Sequence, residues 1–307
     1  MYRAQYIWRN YQRPLIIAGV GGGVFYYINL EEVPISHRRR FNLLSPEAEK
    51  QIMGGDGVYK QVLAEFKGKI LPSNHPLTKE VAHVVERLLP TTGGLAGDEW
   101  VVHVVDDPST MNAFVMPGGK VFVFTGILKV CQNEAGLASV LSHEMAHNVA
   151  HHAAERLSRS GFTLLASMIF VLFLGIDRGI SNSITQLVLE FPNSRTQEAE
   201  ADHIGLLMMA EACYNPREAV AFWERMKKSE QLQPPQFLST HPSHYNRAEY
   251  IKKLLPDAEA KFAEHGCSSM RHYTNEFKDV LAWHRLGKDG PIRMQQPQTR
   301  DDDDDFF

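Results

Sequence analysis

The chain has 307 residues, of which 44% are hydrophobic and 22% charged, so most of it should fold around a buried core. Its 32 basic and 36 acidic residues leave a net charge of −4, and no basic stripe indicates a nucleic-acid partner. Three cysteines are too few for a disulfide scaffold.

The first apolar segment, Pro14–Leu30, has 17 residues and no charge, near the lower limit for a membrane-spanning helix. A secretory signal lacks a convincing cleavage site, and three consecutive glycines disfavour a buried helix in water. Membrane helices tolerate glycine, so we predict a transmembrane anchor after a basic segment, Met1–Arg13. Basic residues at Arg38–Arg40 balance that segment and leave the orientation open.

The next residues, 31–75, are expected to form a connector with a short helix from Pro46. We then expect an α+β domain over residues 76–290, mainly helical, with a small sheet. Apolar residues at helical spacing predict the helix Thr78–Leu89, and a β-rich stretch predicts the strand Trp100–Val105. A Pro-Gly-Gly turn between two short strands predicts a hairpin with the arms Asn112–Met116 and Lys120–Phe124.

Two further segments carry clear composition signals. Ser160–Ile176 has 17 residues without a charge, which suits either a buried hairpin arm or a segment that enters a membrane. Residues 291–307, which include Asp301–Asp305, are predicted to be an acidic disordered tail.

The sequence His143-Glu144-Met145-Ala146-His147 is an HExxH motif inside a predicted helix that begins near Asn133, a suitable N-cap. Residues four apart lie on one face of a helix, so both imidazoles can bind one zinc ion. Glu144 would lie beside the metal and act as the general base. HExxH is short enough to occur by chance, so the surrounding sequence must decide.

His151 is the nearest further histidine, but it lies about 12 Å along the helix axis from His143. One zinc ion cannot span that distance, so His151 and His152 are expected near the site or on the surface. A second predicted helix offers Glu198 and Asp202 on one face. Glu198 would complete a His-His-Glu site for one zinc per chain, and Asp202 would hydrogen-bond a ligand histidine.

The start of this second helix is predicted from Ser194 and Gln197, which fit a capping box. On the same helix, Glu200 is expected to point away from the metal as an exposed acid. His203 is also expected off the metal-facing side.

A third element begins at His241, followed by Pro242, which suits the first turn of a helix. His241 is the first candidate to stabilise an oxyanion, with His244 and Arg247 as weaker oxyanion or structural candidates. The alternative is a capping segment with surface histidines.

These motifs, in this order, resemble the HtpX/BepA-type zinc metallopeptidases, which are gluzincins. The resemblance rests on the sequences HEMAH and HPSHYNR, on the Glu198–Asp202 stretch and on the hairpin sequence at Asn112–Leu128. The N-terminal apolar segment and the apolar segment between the two ligand helices resemble the Oma-type peptidases of the mitochondrial inner membrane.

The resemblance implies an endopeptidase that acts on membrane proteins in stress and quality control, with its catalytic domain facing the intermembrane space. It also implies His143, His147 and Glu198 as ligands and Glu144 as the base. The lipid bilayer and protein substrates are therefore the expected partners, and a homo-oligomer is left open.

Two finer hypotheses concern the substrate and redox chemistry. A strand edge at Asn112, Ala113 and Phe114 could pair with an extended substrate, although the hairpin also suits a core role. Cys213 and Cys267 could pair on oxidation and alter activity.

Two other functions compete with the leading one: an inactive membrane scaffold or chaperone, and a soluble exported peptidase whose first thirty residues are a signal. The intact Glu144 argues against the scaffold, because a scaffold needs zinc ligands at most.

Overall fold

The computed structural model describes residues 2–95, 99–161, 194–230, 237, 241, 247–267 and 292–295. The chain divides into two compact units. One unit comprises Met1–Ser45 with Ala154–Gly179, and the other comprises Pro46–Ala153 with Ile180–Phe307.

The first unit contains helix α1 (Tyr2–Ile28) and a two-stranded antiparallel sheet of β1 (Leu30–Glu32) and β2 (Arg39–Phe41). Phe41 stacks on Tyr26 at a ring-centroid distance of 5.1 Å, which joins the end of α1 to the sheet. Arg38 donates to both carboxylate oxygens of Glu155, at 3.1 and 2.6 Å. This forked pairing ties the residue before β2 to the helical residues 154–161 of the same unit.

Among the described residues, no helix is both long enough and apolar enough to cross a membrane. The predicted anchor Pro14–Leu30 lies almost entirely within α1, so a helix is present but the transmembrane prediction is not supported. The uncharged stretch is only 17 residues long and contains four glycines, which add little hydropathy.

The second unit contains the remaining elements, which we number in chain order. They are α2 (Pro46–Met53), α3 (Asp56–Glu65), α4 (Pro76–Leu88), a 3₁₀ helix (Leu89–Thr92), β3 (Glu99–Val105), β4 (Ala113–Met116), β5 (Lys120–Phe124), α5 (Thr125–Cys131), α6 (Glu134–Val149), α7 (Arg195–Glu211), α8 (Arg217–Glu230), α9 (Arg247–Glu264) and β6 (Ile292–Gln295).

The larger sheet has the strand order β4-β5-β3-β6. Strand β5 is antiparallel to β4 and parallel to β3, while β6 is antiparallel to β3. Val62 of α3 is buried against Phe122 and Phe124 of β5. Helix α3 therefore contributes to the core of this unit, although residues 31–75 were expected to be a connector with a short helix from Pro46, which is present as α2.

The described residues are mainly helical with two small sheets, which confirms the predicted α+β class. The helix, strand and hairpin predicted between Thr78 and Phe124 are present within two residues of the expected limits. The prediction of a disordered tail from residue 291 is wrong at 292–295, because those residues pair with β3 as strand β6. Apart from residues 160 and 161, Ser160–Ile176 lies outside the described residues.

Helices α6 and α7 approach each other closely at Gly205. A Cβ atom added to Gly205 would lie 2.9 Å from the backbone nitrogen of His143 and from the carbonyl of Ser142. These are backbone atoms, which cannot move aside as a flexible side chain can. Glycine at this position is what allows the two helices to touch.

We expect Gly205→Ala to lower the free energy of unfolding by about 1–3 kcal/mol, because the new methyl group must push the two helices apart. Chemical denaturation would measure the change. Gly57→Ala is the matched control, since a Cβ at Gly57 meets nothing within 4 Å. Equal stability of the two variants would contradict the close packing of α6 and α7.

Cys213 and Cys267 form a disulfide across 54 residues of sequence, with their Cα atoms 5.1 Å apart. The bond joins the segment after α7 to the segment after α9, so the predicted pair exists in the structure. Its role as a redox switch stays a prediction.

Removing this disulfide with Cys213→Ser should lower the free energy of unfolding by about 4 kcal/mol, because a loop of this length gains conformational freedom in the unfolded chain. Chemical denaturation with and without reductant would test this. Reductant should destabilise the wild type to a similar extent and leave the variant unchanged. A wild type that is insensitive to reductant would contradict a stabilising bond.

Candidate metal centre

Helix α6 places the HExxH motif in a buried position. The side chain of Asn133 caps the helix by accepting a hydrogen bond from the backbone nitrogen of Gly136 at 2.7 Å, as predicted. His143, Glu144 and His147 are all buried. The Nε2 atoms of His143 and His147 lie 3.2 Å apart, since a spacing of four residues puts both rings on one face.

Helix α7 supplies an acidic group to the same place. It begins with the predicted capping box, in which Ser194 and Gln197 hydrogen-bond each other's backbone nitrogens. One turn later, Glu198 is fully buried. Its two carboxylate oxygens lie 3.4 Å from His143 Nε2 and 3.4 Å from His147 Nε2.

His241 joins this group from the segment before α9. Its Nδ1 lies 3.0 Å from Glu198 Oε1 and 3.3 Å from His143 Nε2. Its ring stacks on Phe237 with centroids 4.5 Å apart, and its Nε2 lies 3.2 Å from Glu144 Oε1. The structure therefore places His241 among the candidate metal donors, whereas the sequence interpretation placed it at the oxyanion.

One donor atom from each of His143, His147, Glu198 and His241 lies within 4.8 Å of the other three. Ligands about 2.0–2.1 Å from a zinc ion at tetrahedral angles are about 3.3–3.4 Å apart. Five of the six pairs of these donors are 3.0–3.4 Å apart, which is close to that spacing. Three imidazoles and a carboxylate are donors that zinc accepts, so the residues present fit this ion.

Asp202 and Arg247 support the donors from one side. Asp202 Oδ1 lies 3.1 Å from His143 Nδ1, which is the hydrogen bond to a ligand histidine that the sequence predicted. Arg247 donates to Asp202 through Nε at 2.9 Å and to Glu198 at 3.1 Å. The guanidinium group lies 3.6 Å from the ring centroid of Trp223. Arg247 is thus a buried counter-ion to two carboxylates.

The charges in this cluster control its protonation. Burial raises the pKa of Glu198. The charge of His241 and the hydrogen bonds from His143 and His241 lower this pKa by more than burial raises it, so it lies well below its usual value. Burial likewise raises the pKa of Asp202, and the charge of Arg247 outweighs it, so this pKa is also lowered. Both carboxylates are therefore ionised at neutral pH.

The pKa values of the two histidines of the motif shift in opposite directions. Burial lowers the pKa of His147 well below its usual value, which favours the neutral imidazole that a metal requires. Burial and the charge of Arg247 lower the pKa of His143, but hydrogen bonds to Asp202 and Glu198 raise it more. A cation that binds here must therefore compete with a proton for His143.

Sequence reasoning was wrong about Glu200, and it left open whether His152 lies near the site or on the surface. Glu200 is buried at 6% exposure and hydrogen-bonds His152 at 2.9 Å, so the expectation of an exposed acid is wrong. His152 lies 2.6 Å from His147, while His151 pairs with Glu49 at 2.6 Å. An i, i+5 contact follows no helical period, so the sequence held no signal for it. His244 lies outside the described residues.

Only part of the predicted substrate edge lies on the side of β4 that faces away from β5. Strand β4 is an edge strand of the sheet as described, and Asn112 accepts a hydrogen bond from Phe124 of β5. Because backbone groups alternate along a strand, those of Asn112 and Phe114 face β5, whereas those of Ala113 and Val115 face away from it. Of the three predicted residues, only Ala113 directs its backbone groups away from β5, and it is 0% exposed.

Comparison with known proteins gives a consistent family. Residues 76–255 match the model of peptidase family M48. The chain is 44% identical over 254 residues to the mitochondrial metalloendopeptidase OMA1 of Schizosaccharomyces pombe, covering 80% of this chain and 73% of the relative. For the protein of the same name from Saccharomyces cerevisiae, the identity is 38% over 272 residues, covering 84% and 78%. For the human metalloendopeptidase OMA1, it is 37% over 253 residues, covering 76% and 48%.

The matched region contains α4 to α8 and the first half of α9, and therefore every candidate donor described above. The resemblance to the Oma-type peptidases is confirmed by these relatives. With more than half of its length matched by the family model, the chain belongs to peptidase family M48.

Proposed function

We propose that this chain is a mitochondrial zinc-dependent endopeptidase. The observation that carries the proposal is the meeting of four buried donors from α6, α7 and His241, with Glu144 beside them. The names of its relatives, mitochondrial metalloendopeptidases, support both the reaction and the compartment.

When bound, zinc supplies Lewis acidity, which polarises a peptide carbonyl and lets water ionise near neutral pH. His143, His147 and Glu198 would hold it. Glu144 follows His143 on the same helix and lies beside the donors rather than among them. Its carboxylate takes a proton from the attacking water and then gives a proton to the leaving amine nitrogen.

His241 has two sides that bear on catalysis. Its Nδ1 lies among the donors, and its Nε2 faces Glu144. Catalytic zinc sites keep one position open for water or substrate. We infer that His241 leaves this position when substrate enters and then donates a hydrogen bond to the developing oxyanion.

The side of β4 that faces away from β5 is the proposed place for the substrate backbone. The side chain of Asn148, from α6, donates to the Val115 carbonyl at 3.1 Å and holds the strand beside the active helix. The Ala113 amide is bonded to the Asn112 side chain at 2.9 Å. Ala113 is 0% exposed, so an extended substrate would pair with the Val115 amide.

The finer role rests on the resemblance to the Oma-type peptidases. We propose membrane-protein substrates in quality control and stress response, at the inner membrane with the catalytic domain facing the intermembrane space. The lipid bilayer is the proposed partner of α1, whose apolar side chains are exposed, among them Ile17 at 72% and Val20 at 62%.

Glu144→Gln should retain zinc and lose cleavage activity by about 10²–10⁴-fold, because the amide cannot accept the proton from water. Zinc content and hydrolysis of fluorescently labelled casein would be measured on the same preparation. A surface change, Glu249→Gln, is the matched control.

Unchanged cleavage by Glu144→Gln would refute the mechanism and point to a contaminating protease. It would also revive the scaffold function. Loss of both zinc and cleavage in Glu198→Gln, with zinc kept in Glu144→Gln, would separate metal binding from proton transfer.

Membrane association through α1 predicts that the double variant Ile17→Asp/Val20→Asp floats less with phosphatidylcholine vesicles than the wild type does. Two charges on an exposed apolar surface oppose its burial in lipid. Leu95→Glu, which alters an exposed leucine outside α1, is the control and should float like the wild type. Absence of flotation for the wild type, or equal flotation of all three proteins, would contradict this role of α1.

A further inference from the structure

A chain of hydrogen bonds leads away from the candidate ligand His147. Its Nδ1 lies 2.6 Å from Nδ1 of His152, and Nε2 of His152 lies 2.9 Å from Oε2 of Glu200. His152 is 0% exposed and Glu200 is 6% exposed. These three groups belong to the interior of the protein, where a hydrogen bond is protected from competing water.

The backbone is shaped to make this contact. Helix α6 ends at Val149, and His151 then adopts a positive φ of 46°, an uncommon conformation for a residue with a side chain. This left-handed residue reverses the chain, so that His152 returns to the ring of His147. Gln197 of α7 donates to the His152 carbonyl at 3.3 Å and holds the returned backbone.

The directions of the hydrogen bonds follow from the carboxylate at the end. When Glu200 is ionised it only accepts, and Nε2 of His152 then carries the proton. A neutral His152 then offers Nδ1 as an acceptor. Nδ1 of His147 must therefore be the donor, which leaves the lone pair of its Nε2 directed at the other metal donors.

We propose that His152 and Glu200 are positioning residues, which lock His147 in the tautomer and ring orientation that bind the metal. The inference rests on the zinc site of the proposed function. Neither residue contacts the substrate or the metal. Each acts through His147.

The other motif histidine provides a comparison within the same site. His143 reaches a carboxylate directly, with Nδ1 3.1 Å from Asp202. His147 reaches its carboxylate through an interposed imidazole. Both candidate ligands are thus oriented by an acid from α7, at positions 202 and 200, while Glu198 of that helix is itself a donor.

The test is zinc affinity, measured by competition with a chromogenic chelator rather than by peptidase activity. Glu200→Gln should weaken zinc binding about 10–100-fold, the usual effect of removing a group that orients a ligand histidine. The amide loses the charge that anchors the proton of His152. Where its NH2 group faces His152, both tautomers reverse and Nε2 of His147 carries a proton. Thermal unfolding of the metal-free variants would confirm that each is folded.

His151→Asn is the matched control. His151 is the neighbouring histidine and also bonds a buried carboxylate, Glu49, but it makes no link to His147. Asparagine tolerates the left-handed backbone there. We expect this variant to bind zinc like the wild type.

A second measurement needs no substitution. In zinc-loaded wild type, the ¹⁵N resonances of the histidine rings should show the Nδ1-protonated form of His147 and the Nε2-protonated form of His152. The opposite tautomer at His152 would overturn the proposal.

The outcomes separate this proposal from the proposed function. If the wild type binds zinc and Glu200→Gln is no weaker than His151→Asn, the positioning role is wrong and the zinc peptidase stands. If the wild type binds no zinc, both are wrong. If only Glu200→Gln is weakened while its metal-free form unfolds like the wild type, the positioning role is supported.

Discussion

The close contact of α6 with α7 is the constraint on which the site depends. Glycine at position 205 lets the backbone of one helix lie against the backbone of the other, next to His143. The first helix carries two imidazoles and a carboxylate, and the second carries acids spaced along one turn. A wider separation would leave Glu198 too far from both imidazoles to share one ion with them.

That contact brings several ionisable groups into the interior, where an unpaired charge is costly. Arg247 compensates by binding Glu198 and Asp202 together, and its guanidinium also lies over Trp223. A buried arrangement of this kind contributes little net stability compared with apolar packing. Its value is functional, because each acid is held ionised and directed at a specific nitrogen.

The same helix pair also explains why two acids two residues apart have different partners. Glu198 faces the donors, whereas Glu200 faces His152, which has been returned to the site by the turn at His151. A metal centre built this way is held by hydrogen bonds behind its donors as well as by the donors themselves. This makes the bonds behind His147 as relevant to function as the motif.

The sequence alone determined the HExxH helix, its Asn133 cap, the capping box before Glu198 and the pairing of Asp202 with a motif histidine. These features are local, because residues only a few positions apart determine a helical period or a cap. It also indicated the hairpin, the helical character of Pro14–Leu30 and the family resemblance. The tertiary structure decided where His241 lies, that Glu200 is buried, that residues 292–295 join the sheet and that the backbone groups of Ala113 and Val115 face away from β5. Those outcomes depend on segments far apart in the chain and on one left-handed residue, and no periodic pattern in the sequence records either.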